Sequence, residues 1–223
     1  MYDGTETKLY PTDREGRLIM HFKNTTPDPK DKRTIKSRGT SNATVSAALF
    51  KYLESYHIPT HFIHLLKPDE MVIHQCDVIP MKLVIWNIAT GDLCKRFRVQ
   101  KGMLLHCTIL EYYLKDQKHR HPMINIDHAC SLGFATPEEM DIIDRNARKV
   151  NAVLKSYFER RSYKLGRLTL EFGRHDDQIL LIDALSLDAC ELWDLKADSK
   201  NPINPFDADD PGSVYEEMKK RIV

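Results

Sequence analysis

Two short apolar runs, Leu168-Thr169-Leu170-Glu171-Phe172-Gly173 and Ile179-Leu180-Leu181-Ile182-Asp183, each carry one carboxylate among strand-favouring residues. The polar stretch Arg174 to Gln178 between them suits a hairpin turn. Pairing Gly173 with Ile179 sets Glu171 opposite Leu181, on the same face as Asp183, with Cβ atoms of the two acids about 7–8 Å apart. Such a pair can hold a hard cation such as Mg²⁺, which takes one or two carboxylates with waters and phosphate oxygens. It can equally be two solvated acids on an open sheet face. Spacing leaves both readings open.

Other reactive residue types carry less. Lys118-His119-Arg120-His121 is dense in imidazole, but its two cations would repel a metal and no cysteine or acid stands at ligand spacing, so it reads as a solvated loop. His128 beside Asp127 has the composition of a general base and its neighbour, without geometry to support the role.

These groups need elements to position them. Lys8 to Phe22 alternates around Pro11 to Gly16 and predicts an opening hairpin with Gly16 in its turn. Asn24 to Arg38 offers almost nothing to bury and predicts a surface loop. Apolar residues from Val45 to Tyr56 recur at helical steps, giving an amphipathic helix over 43–57, capped by Ser41 or Asn42 and stopped before Pro59. Thr60 to Leu66 and Met71 to Val78 predict two strands, and a first lobe would end near Pro80. Thr136-Pro137-Glu138-Glu139 is an N-cap, an N1 proline and a capping-box glutamate; the stripe from Met140 to Phe158 that follows is a core face. The chain turns polar and proline-rich after Asp194 and closes with a charged helix from Val214 to Ile222.

With 223 residues, 42% of them apolar and 29% charged, the chain has the balance of a globular protein. A net charge of +1 excludes a global field for nucleic acid or anionic membrane. Five scattered cysteines without a C-x-x-C pair read as free thiols in a reducing compartment. The start lacks the apolar run of a signal peptide and no stretch is long enough to span a membrane, so a cytoplasmic location is expected.

Several segments, in order and at similar spacing from about Tyr2 to the C-terminus, resemble the SAICAR synthetase family. They are His57-Ile58-Pro59-Thr60-His61-Phe62-Ile63, Ile79-Pro80, Asn87-Ile88-Ala89-Thr90-Gly91, Lys95-Arg96, and Glu111-Tyr112-Tyr113-Leu114-Lys115-Asp116. Pro122-Met123-Ile124-Asn125, Asp127-His128, Leu170-Glu171-Phe172-Gly173, Asp183 and Leu192-Trp193-Asp194 complete the series. The resemblance implies an α+β, two-lobed SAICAR synthetase fold like that of ATP-grasp enzymes, with antiparallel sheets and a nucleotide cleft. The implied lobes are a small β-rich one over 1–80 and a larger α+β one over 81–223. It implies an ATP-dependent ligase that phosphorylates a carboxylate so that an amine, aspartate in the family, can displace phosphate and form an amide. A carboxylate is a poor acyl donor until it gains such a leaving group. ATP and Mg²⁺ are the implied cofactors, with Glu171 and Asp183 as metal ligands, and a homo-oligomer is expected.

The chain departs from the family at informative places. The family's Y-x-G-K-A-K is here Tyr2-Asp3-Gly4-Thr5-Glu6-Thr7, leaving Gly4 and the adjacent Lys8 as candidate ATP contacts. V-V-R-N-x-A-A-G-S has Trp86 for arginine and Asp92 for serine; S-P-D-x-x-R-L-W-D has Glu191 for arginine. D-F-K-L-E-F-G has Arg167 for aspartate and Thr169 for lysine, a family glutamate is replaced at Lys82, and His121 stands where the family has an aspartate. Loss of cations and gain of anions predicts a pocket that rejects a ribose phosphate, and hence an acid other than the usual ribonucleotide. The alternatives are a non-catalytic binding protein on the same fold, or a true SAICAR synthetase with compensating contacts. Expected substrate contacts are Trp86, Asn87, Asp92, Lys115, Asn125, Asp127 and Glu191; Lys115 and Asp183 are the expected catalytic pair, and Lys82 and Glu171 join Gly4 and Lys8 at ATP. Trp86 is open to two readings, a stacking surface or core packing. Lys82 and Arg167 either face the nucleotide or point outward.

Overall fold

Gly16 stands at φ 72°, the left-handed region that side chains disfavour, and turns the chain between the first two long strands as expected. The computed structural model describes residues 2–26, 33–116, 118–197 and 201–223; parts of the two polar connections read from the sequence, 27–32 and 198–200, lie outside the described residues. In chain order the elements are β1 (Tyr2–Asp3), β2 (Thr7–Pro11), β3 (Arg17–Phe22), α1 (Arg38–Glu54), β4 (Phe62–Lys67), β5 (Glu70–His74), β6 (Asp77–Ile88) and α2 (Gly91–Phe97). They continue as β7 (Leu104–Leu114), β8 (Met123–Ile124), α3 (Ile126–Ser131), α4 (Pro137–Glu159), β9 (Tyr163–His175), β10 (Gln178–Ile182), β11 (Cys190–Asp194) and α5 (Pro211–Ile222). The class is α+β with antiparallel sheets. Two compact units result, one of Met1–Asp77, Ala184–Asp188 and Asn204–Val223, the other of Val78–Asp183 and Ala189–Ile203.

In the first unit a five-stranded sheet runs β1-β2-β3-β5-β4. Its apolar face, with Met20, Phe22, Met71 and Ile73, packs on Val45, Leu49, Phe50 and Leu53 of α1, and α5 adds Tyr215, Met218 and Ile222. The helix begins at Arg38, several residues before the expected start, after Ser37 in a left-handed conformation with no side-chain cap. Ser41 and Asn42, expected as caps, are buried inside it. Within the stretch Asn24 to Arg38, Thr26, Ile35 and Arg38 are buried, against the expectation of a loop with little to bury.

The physical reason is a polar cluster that periodicity of apolar residues cannot reveal. Arg38, fully buried, donates to the carbonyls of Lys23 (3.1 Å) and Thr25 (2.6 Å) and pairs with Asp188 at 2.9 Å. Asn42 and Tyr215 donate to the same carboxylate, each at 2.5 Å. The backbone N–H groups of Leu185 and Leu187 donate to Ser46 and Asn42. Helix and sheet also approach closely: a Cβ at Gly39 would run into the carbonyl of Phe22, so only glycine fits there.

In the second unit the sheet runs β10-β9-β6-β7-β8, with β11 on the other part of β9. Thr136 Oγ1 accepts from Glu139 N–H, Glu139 accepts from Thr136 N–H at 2.8 Å, and Pro137 opens α4. Met140, Ile143, Ala147, Val150, Leu154 and Phe158 then bury one face of α4 on β9 and β10, the stripe expected. The register of β9 and β10 differs by one residue from expectation. Leu180 faces Gly173 and Ile182 faces Glu171, because the turn is the tight pair Asp176-Asp177 rather than the whole polar stretch. Asp183 leaves the strand at φ 66°, which ends the alternation.

A charged sheet face as the candidate active site

Strand alternation assigns the sides of the second sheet. Tyr112 donates to Asp144 of α4 at 3.1 Å, and Asn87 exchanges hydrogen bonds with Asn151 of α4 at 2.8 and 3.0 Å, so these residues look toward the helix. The opposite face carries Lys82, Val84 and Trp86 of β6 and Ile109, Glu111 and Tyr113 of β7, paired across the two strands. On β9, Leu168, Leu170 and Phe172 are buried while Arg167, Thr169 and Glu171 alternate with them. Sheet period alone thus collects lysines, arginines and carboxylates on one face.

One group forms around Glu171. Lys115 donates to its carboxylate at 2.5 Å. Burial pushes the Glu171 carboxyl up and the charge of Asp183 adds to this; Lys115 and Lys82 oppose it, and the pKa stands at about 7. Asp183 is itself exposed. Glu171 and Asp183 therefore influence each other although the one-residue shift in register removes the diagonal pairing expected of them. A half-buried carboxylate beside a second one, with two ammonium groups near, is a donor set suited to a hard divalent cation and phosphate oxygens.

A second group centres on Glu111, which accepts two bonds from Arg96 of α2 (2.7 and 2.8 Å), one from the Tyr113 hydroxyl (2.8 Å) and one from Trp86 Nε1 (2.9 Å). Burial pushes this carboxyl up, but the bonds from Arg96, Tyr113 and Trp86 outweigh it and hold the pKa below the usual range. Trp86 is 3% exposed and packs with Val84, Ala89 and Leu93, so of its two readings the structure has core packing. A third group joins Glu191 of β11, which accepts from Thr90 at 2.9 Å, to Arg167, directly opposite it at 3.8 Å. The Arg167 guanidinium lies 5.4 Å from the Trp86 ring centre.

The remaining expected residues scatter. Asn87, expected to contact substrate, faces α4 instead and is satisfied there. Asp92 is exposed in the first turn of α2, 3.3 Å from Lys95. Asn125 caps α3 and accepts from His128 N–H at 2.9 Å, while its own N–H donates to His128 Nδ1, which engages the nitrogen a general base would use. Asp127 and Asn125 line a hollow of about 510 Å³ with Glu111 and Met123. His119 pairs with Asp116 at 2.6 Å in an exposed loop.

In the first unit, register puts Asp3, Lys8, His21, Glu70 and Lys67 in one row across the five strands, with an acid beside each basic residue. Lys8 lies 5.2 Å from the Tyr10 ring centre. Gly4 closes the β1–β2 turn with its N–H on the Thr7 carbonyl, and its own carbonyl accepts from Lys23, which also pairs with Asp3. Lys23 and the Arg96–Glu111 pair are the charged groups missed in the sequence. Arg96 and Glu111 both fall in the family-like segments, which was the available signal.

Comparison with known proteins decides the affiliation. The family model described as SAICAR synthetase matches residues 1–210. The chain belongs to the SAICAR synthetase family. That is a family of ATP-dependent, ADP-forming carbon–nitrogen ligases. The phosphoribosylaminoimidazole-succinocarboxamide synthases of Pelodictyon phaeoclathratiforme and Chlorobium chlorochromatii are 37% and 38% identical to it, over all of this chain and 96% and 97% of theirs. Among solved structures, the synthase of Ehrlichia chaffeensis superposes with a TM-score of 0.92 at 29% identity. It covers all of this chain and 97% of that one. A SAICAR synthetase in complex with ADP gives 0.92 at 35% identity with the same coverage. Among the described residues of the chain, no helix is long and apolar enough to cross a membrane.

Proposed function

We propose that this chain is a true SAICAR synthetase, joining carboxyaminoimidazole ribonucleotide and aspartate with cleavage of ATP to ADP and phosphate. The observation that carries the reading is the Glu171 group with Lys115, Lys82 and Asp183, on a chain that matches succinocarboxamide synthases along its whole length. The expectation of a different acid rested on cations lost at Trp86 and Glu191 and on anions gained at Asp92 and Glu191. In the structure Arg167 lies opposite Glu191 and Lys95 lies beside Asp92, which removes much of the repulsion a phosphate would meet.

The chemistry divides into two balanced steps. A carboxylate oxygen of the ribonucleotide takes the γ-phosphoryl group and ADP leaves; the aspartate amine then attacks the acyl carbon, phosphate leaves with the C–O electron pair, and the amine loses a proton. Glu171 and Asp183 would hold Mg²⁺, which supplies positive charge to the phosphate oxygens when bound. Lys115 and Lys82 contribute fixed positive charge on the same face, where a transferring phosphoryl group needs it. Gly4 and Lys8 keep their roles as proposed ATP contacts on the first unit, and Asn125 and Asp127 as proposed substrate contacts on the second.

The test is ADP release from purified protein with ribonucleotide, aspartate and Mg²⁺, each omitted in turn. Dependence on all of them is expected, and Glu171→Ala should lower turnover by about 100-fold or more. Full turnover in that variant would remove Glu171 from the site. Turnover with another acid in place of the ribonucleotide would favour the retasked ligase. The absence of ATP binding would favour a non-catalytic protein, a reading that Thr5 and Thr7 at the family's lysine positions keep specific.

A further inference from the structure

Among the cations on the charged face, Arg167 combines a buried donor that meets no acceptor with a side chain that is partly open to solvent. Arg96 is held twice by Glu111, and Lys115 by Glu171. Arg167 lies 3.8 Å from Glu191, too far for a hydrogen bond, and both oxygens of Glu191 accept from Thr90 instead. Its Nε is buried without an acceptor, although the side chain as a whole is 40% exposed. A buried donor left unmatched costs about 1–3 kcal/mol, so the arrangement favours an incoming acceptor. Trp86 forms a floor for the guanidinium, with its own nitrogen tied to Glu111 and its ring fixed in the core. Glu191, tied to Thr90, supplies the opposite charge from the neighbouring strand.

Two of the departures from the family pattern face each other across β9 and β11. Where the family pattern carries aspartate and arginine at positions 167 and 191, this chain carries arginine and glutamate, and the register makes the two residues direct cross-strand partners. The pair is reversed in polarity, so a guanidinium is still present but has moved to the adjacent strand. It now sits over the residue, Trp86, that replaces the other family arginine. One stacked guanidinium with unspent donors stands among positions where two arginines are absent.

We propose that Arg167 is a specificity-determining residue that receives the phosphate of the acid substrate, with Trp86 as its positioning residue and Glu191 as the counter-charge the phosphate displaces; the identity of the phosphate-bearing acid rests on its reading as a ribonucleotide. A fork of N–H donors matches a phosphate in a way an ammonium does not. Arg167→Lys is therefore expected to raise the KM for the ribonucleotide about 10- to 100-fold while leaving the KM for ATP and aspartate within about twofold. For the matching ribonucleoside, which lacks the phosphate, wild type and variant should be equally poor. Glu191→Gln keeps the guanidinium and removes its competing carboxylate, and should lower the ribonucleotide KM by about threefold. A pair that only ties two strands together would predict the opposite sign for Glu191→Gln and equal losses for ribonucleotide and ribonucleoside. Either result would overturn the proposal.

Calorimetry with ribose 5-phosphate as the probe needs no turnover. Binding to wild type that is lost in Arg167→Lys supports the proposal even if the wild-type protein fails to convert the ribonucleotide, an outcome that would count only against the proposed function. Equal binding to both proteins, with thermal unfolding confirming that the variant is folded, would count against Arg167 alone.

Discussion

At the scale of single residues, Glu111 shows how a buried carboxylate is kept charged. Desolvation alone would raise its pKa, and four donated bonds from three side chains reverse the sign. Because the folded-state pKa lies below the unfolded value, the associated stability is present above about pH 4.5 and is lost as pH falls through the folded pKa. Glu111→Gln should therefore cost about 3 kcal/mol at pH 7, and denaturant titrations of the two proteins should converge toward pH 3 as wild-type Glu111 takes up its proton. A constant gap across that range would mean that shape, not charge, sets the cost. This network was only partly legible. Glu111 and Arg96 stood in family-like segments, but their bond joins a helix to a strand, and no spacing rule connects positions 96 and 111. The importance of Trp86 was legible; its direction was not, because an aromatic residue in an apolar run fits a core and a pocket equally well.

Among the elements, α4 was the most legible and α1 the least. Helix α4 is announced by local chemistry, a cap, a proline and a reciprocal glutamate, all of which depend on neighbours in sequence. Thr136→Ala removes one side of that exchange and should cost about 1 kcal/mol by chemical denaturation, with little change in ADP release. A loss several times larger would show that Thr136 also supports Glu139 in its hold on Arg174, at 2.6 Å from β9. Helix α1 instead opens with buried Arg38 and Asn42, which share the carboxylate of Asp188 some 150 positions away, so its start carries no local signal. The β9–β10 hairpin lies between these cases: both strands were evident, but one residue of register depended on whether the polar stretch formed a long loop or a two-residue turn.

At the scale of the whole molecule, the decisive residue is Asp188. It lies in a five-residue return of the chain to the first unit, where Arg38, Asn42 and Tyr215 all donate to it. Asp188→Ala leaves the fully buried Arg38 guanidinium without its counter-charge and should destabilise the protein by about 3–5 kcal/mol in urea unfolding. Asp188→Asn, which keeps an acceptor, should cost less. Equal effects from the two would assign the loss to packing. The resemblance placed Asp188 in a motif, but nothing in its neighbours disclosed that its partners come from the opening and closing stretches of the chain.

That arrangement also bears on how the protein comes to exist. A ribosome delivers the strands of the first unit before the second unit, yet the tyrosine that donates to Asp188 and the apolar side of α5 come after the second unit in sequence. The strands β1–β5 and α1 must therefore wait, α1 lacking its packing partner α5, while the second unit has all of its residues by position 203. Synthesis order and folding order are opposed here, and it is the side of α1 that α5 will cover that would be vulnerable to wrong partners in the interval.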